Sequence, residues 1–274
     1  MSNAKNQTKE YKLLKPKNDI VFQSLFNQNN EKITKAFVEA LLDEKINKIV
    51  INNGKELHRE KPDDKLGILD LQIDVNDSEK VDVEIQLIEK FDFTERILFY
   101  LSKLFYSQVN RGEMYFEAKR TVLIAIIDYS LELTREIKKI ETIWNLRENN
   151  QPQLKLTDLI ELHIIELNKV TEFYKNNPNN LKAQWMLFLE NPDSMEVKKI
   201  MEKNEEIKEA TVIVREMSQD EKMQRLADLR KKAIMDEKSI YRTGLLKGEK
   251  AGLEKRTKTA VSSNGIKQGV KQRF

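Results

Sequence analysis

Two short stretches of strict alternation, separated by three turn-forming residues, constrain this chain more than any other feature. From Leu66 to Val75 the residues after Gly67 place Leu69, Leu71, Ile73 and Val75 on one side. Leu66, Ile68, Asp70, Gln72 and Asp74 lie on the other. From Lys80 to Leu87, Val81, Val83, Ile85 and Leu87 share a side, opposed by Asp82, Glu84 and Gln86. Period-two patterning of this kind is that of a half-buried strand, and Asn76-Asp77-Ser78 between the two is turn chemistry. The segment therefore predicts a β-hairpin.

Parity then fixes which residues meet. Directly opposed residues of an antiparallel pair project to the same face. If the two polar faces coincide, a loop of odd length centred on Asp77 sets Asp70 opposite Glu84, Gln72 opposite Asp82, and Asp74 opposite Lys80. Opposed carboxylates sit about 4.5–5.5 Å apart at Cβ and repel each other. A divalent cation between them removes that repulsion, and Mg²⁺ prefers oxygen ligands. The alternative is a hairpin whose polar face is simply wet, which is ordinary for antiparallel sheets. Ile68 on the polar face, and the strongly apolar segments that follow, favour a sheet covered on both sides, where carboxylates need partners.

The flanking segments extend the pattern to an α/β fold. Asn18-Asp19 precedes the periodic run Val21, Phe22, Leu25 and Phe26, as an N-cap does a helix. Residues from about Asn30 to Leu42 predict a second helix, with Ile33, Phe37, Ala40 and Leu41 on one face. Ile46 to Asn52 is strand-like and ends at the turn signal Asn53-Gly54. Phe93 to Arg111 predicts a helix carrying Ile97, Leu98, Leu101, Leu104, Phe105 and Val109. The continuous apolar run Thr121 to Ile127 predicts a strand buried on both faces. The core order is thus helix, strand, strand, strand, helix, strand. Beyond Tyr129, strand-like pieces near Glu141–Leu146 and Leu159–Leu167 lead to a helix near Leu181–Leu189. A long charged helical region follows from Met195 to about Gly244. Gly244, Gly248 and Gly252 then recur every four residues, and because glycine is a poor helix former they predict a frayed end. The expected division is a core at 15–129, further strands and helices at 130–243, and a basic, flexible tail at 244–274.

Composition narrows the chemistry. The absence of cysteine excludes disulfides, cysteine-ligated zinc and a thiol nucleophile, and having only His58 and His163 argues against a histidine-rich metal site. The longest apolar run, Val122 to Ile127, is far short of the about 20 residues that span a bilayer. The N-terminus is polar and basic without a secretory apolar segment, so a cytoplasmic protein with no membrane partner is expected. The net charge of +3 is unevenly spread: Lys238 to Phe274 holds ten Lys/Arg against two acidic residues. Such a segment adds sequence-independent attraction to phosphates, or is a solvated end. His163 lies in an apolar alternating stretch and reads as a packed histidine rather than a catalytic base. Trp144 and Trp185 read as core or interface aromatics.

Several segments, taken in order, resemble one family: KPKNDIVFQSLF, then DDKLGILDLQIDVNDSEKVDVEIQL, ERILFYLSKLFYSQVNRGEMY and TVLIAIIDY, followed by DLIELHIIELNKV, WMLFL and the Gly-Lys-Glu tail. Together they are similar to the recombination-promoting nuclease/transposase family of the PD-(D/E)XK nuclease superfamily, over about residues 15 to 255. The resemblance implies a mixed sheet flanked by helices, in α-β-β-β-α-β order, with a mainly helical C-terminal region. It implies a metal-dependent endodeoxyribonuclease that uses Mg²⁺ or Mn²⁺, acts on DNA, and promotes recombination or transposition. Asp70 matches the first acidic position and Glu84 the second, so these two become the expected metal ligands. Gln86 stands where the superfamily carries its catalytic lysine and is expected to position the attacking water. Asp19, Lys65, Asp82 and Arg96 are accessory candidates, Arg96 as a phosphate contact or as the ion-pair partner of Glu95 or Asp92, and Lys61 or Lys65 as a source of the missing charge. Tyr100 and Tyr115 recur in the same resemblance. A neutral amide in place of an ammonium predicts weak catalysis. The competing expectation is a catalytically weak or inactive nuclease fold that binds DNA or assembles as a homo-oligomer. The segment after Lys258 departs from the family's charged helical tail and carries no assigned role.

Overall fold

The computed structural model describes residues 13–52, 70–109 and 112–270, with side chains as far as Leu253. Its centre is one six-stranded mixed sheet. The strands are β1 (Ile49–Ile51), β2 (Leu71–Val75), β3 (Glu79–Gln86), β4 (Arg120–Ile127), β5 (Glu141–Asn145) and β6 (Ile160–Glu166), in spatial order β1-β2-β3-β4-β6-β5. The first three strands pair antiparallel, β3, β4 and β6 pair parallel, and β5 returns antiparallel on β6. The strands after Tyr129 therefore extend the same sheet as the hairpin.

The hairpin register follows from its turn. Asn76 and Asp77 both adopt left-handed backbone conformations (φ 49° and 58°), and the Ser78 amide donates to the Val75 carbonyl at 3.0 Å. Asn and Asp tolerate this region better than other residues with a Cβ, and paired left-handed residues give a turn matched to strand twist. Leu71 consequently stands level with Val83, Gln72 with Asp82, and Asp74 with Lys80, the pairing that parity predicts. The Asn76 side chain also accepts from the Asn47 and Lys48 amides (2.9 and 3.1 Å). Those amides are thereby taken out of the ladder, and β1 is shorter than the strand-like run in the sequence.

Each sheet face has its own cover. Val81, Val83 and Ile85 join Val122, Ile124 and Ile126 in the larger core. Helices α1 (Asp19–Leu25), α2 (Glu31–Leu42), α4 (Val170–Asn176), α5 (Leu181–Glu190), α6 (Met195–Met201) and α7 (Glu205–Gln219) line this core. Phe22, Phe26, Phe37 and Trp185 cluster at its centre, with Phe26 and Phe37 stacked at 4.2 Å between centroids and the other pairs tilted or edge-on. The opposite face carries Leu123, Ala125 and Ile127, covered by Phe93, Ile97 and Leu101 of α3 (Phe93–Tyr106). The register pairs Asp82 with Leu123, Glu84 with Ala125, and Gln86 with Ile127. The polar face of the hairpin thus lies on the α3 side.

The helical boundaries differ in three places from those expected. Helix α3 stops at Tyr106, short of Arg111. The charged run from Met195 is broken twice, because Asn204 accepts from the Ile207 amide and Asp220 from the Met223 amide; each caps a new helix as side-chain acceptors do. The glycines at 244, 248 and 252 do not end the helix, since α8 runs Glu221–Val270 through all three. Its many strong helix formers outweigh three intrinsic penalties of about 1 kcal/mol each. Met1–Arg230 and Lys231–Phe274 form two compact units. Among the described residues, no helix is long and apolar enough to cross a membrane.

Candidate active site

The start of β2 and the end of β3 bring the two expected carboxylates together. The Asp70 backbone amide lies 3.3 Å from Glu84 Oε1 and donates to it. Asp70 Oδ2 accepts from the Ile85 amide at 2.9 Å, and Oδ1 accepts from Gln23 Nε2 at 3.1 Å. Each acid is thus held by the strand that carries the other, with α1 bracing Asp70 from the side. Gln23 was not singled out in the sequence, although its place one turn after Asp19 puts both on one helix face. Asp19 bonds other partners, its Oδ1 accepting from the Ile20 amide at 3.0 Å and its Oδ2 from Arg230 Nε at 2.5 Å, but its charge and that of Arg230 both reach Asp70. Arg230 is far away in sequence, and no local signal marks it.

Asp82 lies one alternation inward from Glu84 and is fully buried. Neither of its carboxylate oxygens has a hydrogen-bond partner among the described residues. Buried polar atoms nearly always have partners, so this acid is in an unusual state. Burial pushes the Asp82 carboxyl well above the usual carboxylate range, and the nearby Asp70 charge adds to it. Glu84 is driven the same way by burial and by Asp82 and Asp70, against the opposing pull of the Asp70 amide and Arg96. Asp70 also rises, chiefly by burial, despite its bonds from Ile85 and Gln23. Desolvation plus mutual repulsion is the pattern of carboxylates awaiting a positive partner.

The residue types and their state fit a divalent cation. The donors are all oxygen, the ligand class that Mg²⁺ prefers, and Mg²⁺ characteristically takes one or two protein carboxylates with water and substrate oxygens completing its shell. Among the described residues, no group of three or more His, Cys, Asp or Glu is placed so that it could hold a metal ion, so a cation here would rest on two carboxylates with water and substrate oxygens. Asp82 lies buried and unpartnered, among the described residues, beside the pair.

Gln86 ends the same strand face. Its Oε1 accepts from Arg96 Nη2, and its Nε2 donates to the Ile88 carbonyl at 3.2 Å. Arg96 therefore meets Gln86, where an ion pair with Glu95 or Asp92 was one expectation. Tyr100, one turn further along α3, is half-buried against the same group of charges, and burial raises its phenol. Lys61, Lys65 and His58 lie outside the described residues. His163 is distant from this cluster in the sheet: it stands on β6, buried, between Glu141 Oε1 at 2.8 Å and Glu161 Oε1 at 3.0 Å.

A family model described as PD-(D/E)XK nuclease family transposase matches residues 16–244. The chain belongs to this family. The mixed sheet with helices on both faces and a helical C-terminal region is the architecture expected of it. No curated protein and no solved structure matched the chain. Family membership points to a nuclease or transposase role, with DNA as partner and divalent metals as the general cofactor class.

Proposed function

We propose that this chain is a metal-dependent endodeoxyribonuclease whose cleavage serves recombination or transposition. One observation carries the reading: Asp70 and Glu84 meet at the mouth of the hairpin, hydrogen-bonded through one another's strands, with a buried, unpartnered Asp82 behind them. Other carboxylates of this sheet, such as Glu161, hydrogen-bond basic side chains directly, whereas among the described residues none bonds these three acids.

Asp70 and Glu84 would hold Mg²⁺ or Mn²⁺, which supplies an activated water and neutralises charge at a phosphate. The chain's own residues set the geometry. Ile85 and Gln23 fix the Asp70 carboxylate, and the Asp70 amide fixes Glu84, so neither acid has to reorient when DNA arrives. In the hydrolysis, the water oxygen bonds to phosphorus and one phosphorus–oxygen ester bond breaks. One water proton ends on the departing oxygen, the other in solvent, leaving a phosphate monoester and a hydroxyl end. The basic segment Lys238 to Phe274 would add non-specific attraction to the backbone. Deleting it should reduce the salt dependence of binding by a slope of about 0.9 for each phosphate that the segment neutralises.

A plasmid-nicking assay in Mg²⁺, Mn²⁺ and EDTA, with Asp70→Ala as control, tests the reading. Nicking that needs the metal and Asp70 supports it. DNA binding without cleavage under either metal would instead support the inactive, DNA-binding alternative.

A further inference from the structure

Gln86 and Arg96 form a unit that a water-positioning role for Gln86 does not explain. Both ends of the Gln86 amide are engaged inside the protein, the oxygen by Arg96 Nη2 and the nitrogen by the Ile88 carbonyl. Those two bonds also fix which way the amide faces. Among the described residues, Gln86 is the side chain that Arg96 bonds, and the Arg96 Nε is buried with no partner. A guanidinium carries five donors in a planar fork and does not lose its charge at accessible pH. Here it is anchored by a neutral amide, close enough to lower Glu84's proton affinity, with donors to spare. A cation kept for structure alone would be expected to close an ion pair with Glu84 or with Glu95, its neighbour in sequence. Spare, co-planar donors beside a carboxylate pair suit a second oxyanion, and a phosphodiester offers two non-bridging oxygens to such a fork.

We propose that Arg96 is the cation that faces the scissile phosphate, and that Gln86 is the positioning residue that holds it there. The site thereby keeps a fixed positive charge although its strand lacks a lysine. Because arginine does not deprotonate, it supplies charge and alignment and takes no proton. The proposal rests on the nuclease reading above.

The test combines single and double substitutions in the full-length chain. Arg96→Ala should lower kcat for plasmid nicking by about 10²-fold, the cost typical of losing one preorganised donor to developing charge, with a smaller change in KM. Arg96→Lys should recover part of that loss. Gln86→Ala should lower kcat less, and adding it to Arg96→Ala should cost nothing further, because its effect runs through the arginine. A second measurement needs no turnover: binding of a duplex oligonucleotide in Ca²⁺. There Arg96→Ala should lower the salt slope by about 0.9, the share of a single phosphate. Losses that multiply in the double variant would overturn the positioning role of Gln86. An active wild-type chain whose Arg96→Ala variant keeps kcat and salt slope would overturn the proposal alone. A wild-type chain inert under both Mg²⁺ and Mn²⁺ would overturn the nuclease reading, and the proposal with it.

Discussion

Glu84 and Glu161 are both carboxylates on the central part of one sheet, Glu84 level with Ala125 of β4 and Glu161 with Val122. Their surroundings are opposite. Glu161 accepts from His163, from Arg120 Nη2 at 3.0 Å and from Lys155 at 3.2 Å. Arg120 goes on to Glu79 at 2.8 Å, and His163 goes on to Glu141, which also pairs with Lys182. Burial works against the charged form of Glu161, but these bonds outweigh it and hold the carboxyl down at about 2. Around Glu84, burial and the charges of Asp82 and Asp70 drive the carboxyl up, against the weaker pull of the Asp70 amide and Arg96. In the same sheet, then, one acidic cluster contains its own counter-charges and locks strands together. In the other, among the described residues, no basic side chain is hydrogen-bonded to Asp70, Asp82 or Glu84. That difference separates architecture from chemistry better than acidity or burial alone.

The largest effect that would break this comparison is on activity. Asp70→Ala or Glu84→Ala should reduce metal-dependent nicking by about 10³-fold or more, several kcal/mol of charge stabilisation at about 1.36 kcal/mol per decade. The same variants should melt in EDTA no lower than the wild type, since each removes one of several repelling charges. A marked fall in melting temperature would place these acids among the structural ones.

Next comes stability at the other cluster. Arg120→Ala strips Glu161 and Glu79 of a shared partner and leaves two half-enclosed carboxylates. The expected cost lies somewhat below the about 3–5 kcal/mol of a fully buried pair, read as a shift in urea midpoint. Nicking activity at saturating DNA should persist, because the network lies outside the proposed metal site.

The two clusters should also tilt the pH dependence of stability in opposite senses. Glu161 lies below its ordinary 4.5 in the folded chain, so its contribution is present above about pH 4.5 and is lost as the pH falls toward about 2. Asp70, Asp82 and Glu84 lie above their ordinary values of 3.8 and 4.5. In metal-free protein they are harmless below about pH 4 and increasingly destabilising as the pH rises past it. Denaturation in EDTA should accordingly show Asp82→Asn gaining stability near neutral pH, by roughly 1–4 kcal/mol as when buried charges yield to neutral residues. The gain should vanish in acid. A variant less stable than wild type at neutral pH would mean that Asp82 has a partner in solution.

Much of this was legible in the sequence, and the reason is that strands encode faces. Alternation gave the hairpin, the odd loop at Asp77 gave its register, and together they placed Asp70 beside Glu84. The continuous run ending at Ile127 identified the buried parallel strand. What sequence left open depends on contacts between distant segments. Gln23 and Arg230 reach Asp70 and Asp19 through contacts between segments far apart in sequence, and the Gln86–Arg96 contact requires knowing how α3 is rotated. The helix breaks at Asn204 and Asp220 did have a local signal, in cap-forming residues inside a charged run, but charge periodicity concealed it. The glycines misled because intrinsic propensity is a weak prior within a long helix-favouring context.

The smallest expected effect tests the comparison within the hairpin itself. Asp74 lies on the same polar face as Asp70, two alternations along, and faces Lys80 across the strands. Lys80 Nζ donates to its Oδ1 at 2.7 Å, and Asn52 Nδ2 donates to its Oδ2 at 2.9 Å. Partial burial opposes its charge, yet these partners hold the carboxyl below the usual range. Two aspartates on one face of the hairpin thus differ in partner and in burial: Asp74 faces a lysine, while the more deeply buried Asp70 meets Glu84 through its backbone amide. Both members of the Asp74–Lys80 pair keep about a quarter of their side-chain surface in water, so the pair is screened. Lys80→Ala should cost only about 0.2–1 kcal/mol, the range of cross-strand and surface ion pairs, and leave nicking unchanged. Lys80→Glu would place a carboxylate opposite Asp74, reproducing the arrangement at Asp70. Because water screens this position, the repulsion there should remain within about 1 kcal/mol. Calorimetric titration with Mn²⁺ should still find no added binding at Asp74. If Lys80→Glu created a second Mn²⁺ site of similar strength, opposed carboxylates alone would suffice, and burial beneath α3 would lose its place in explaining the site.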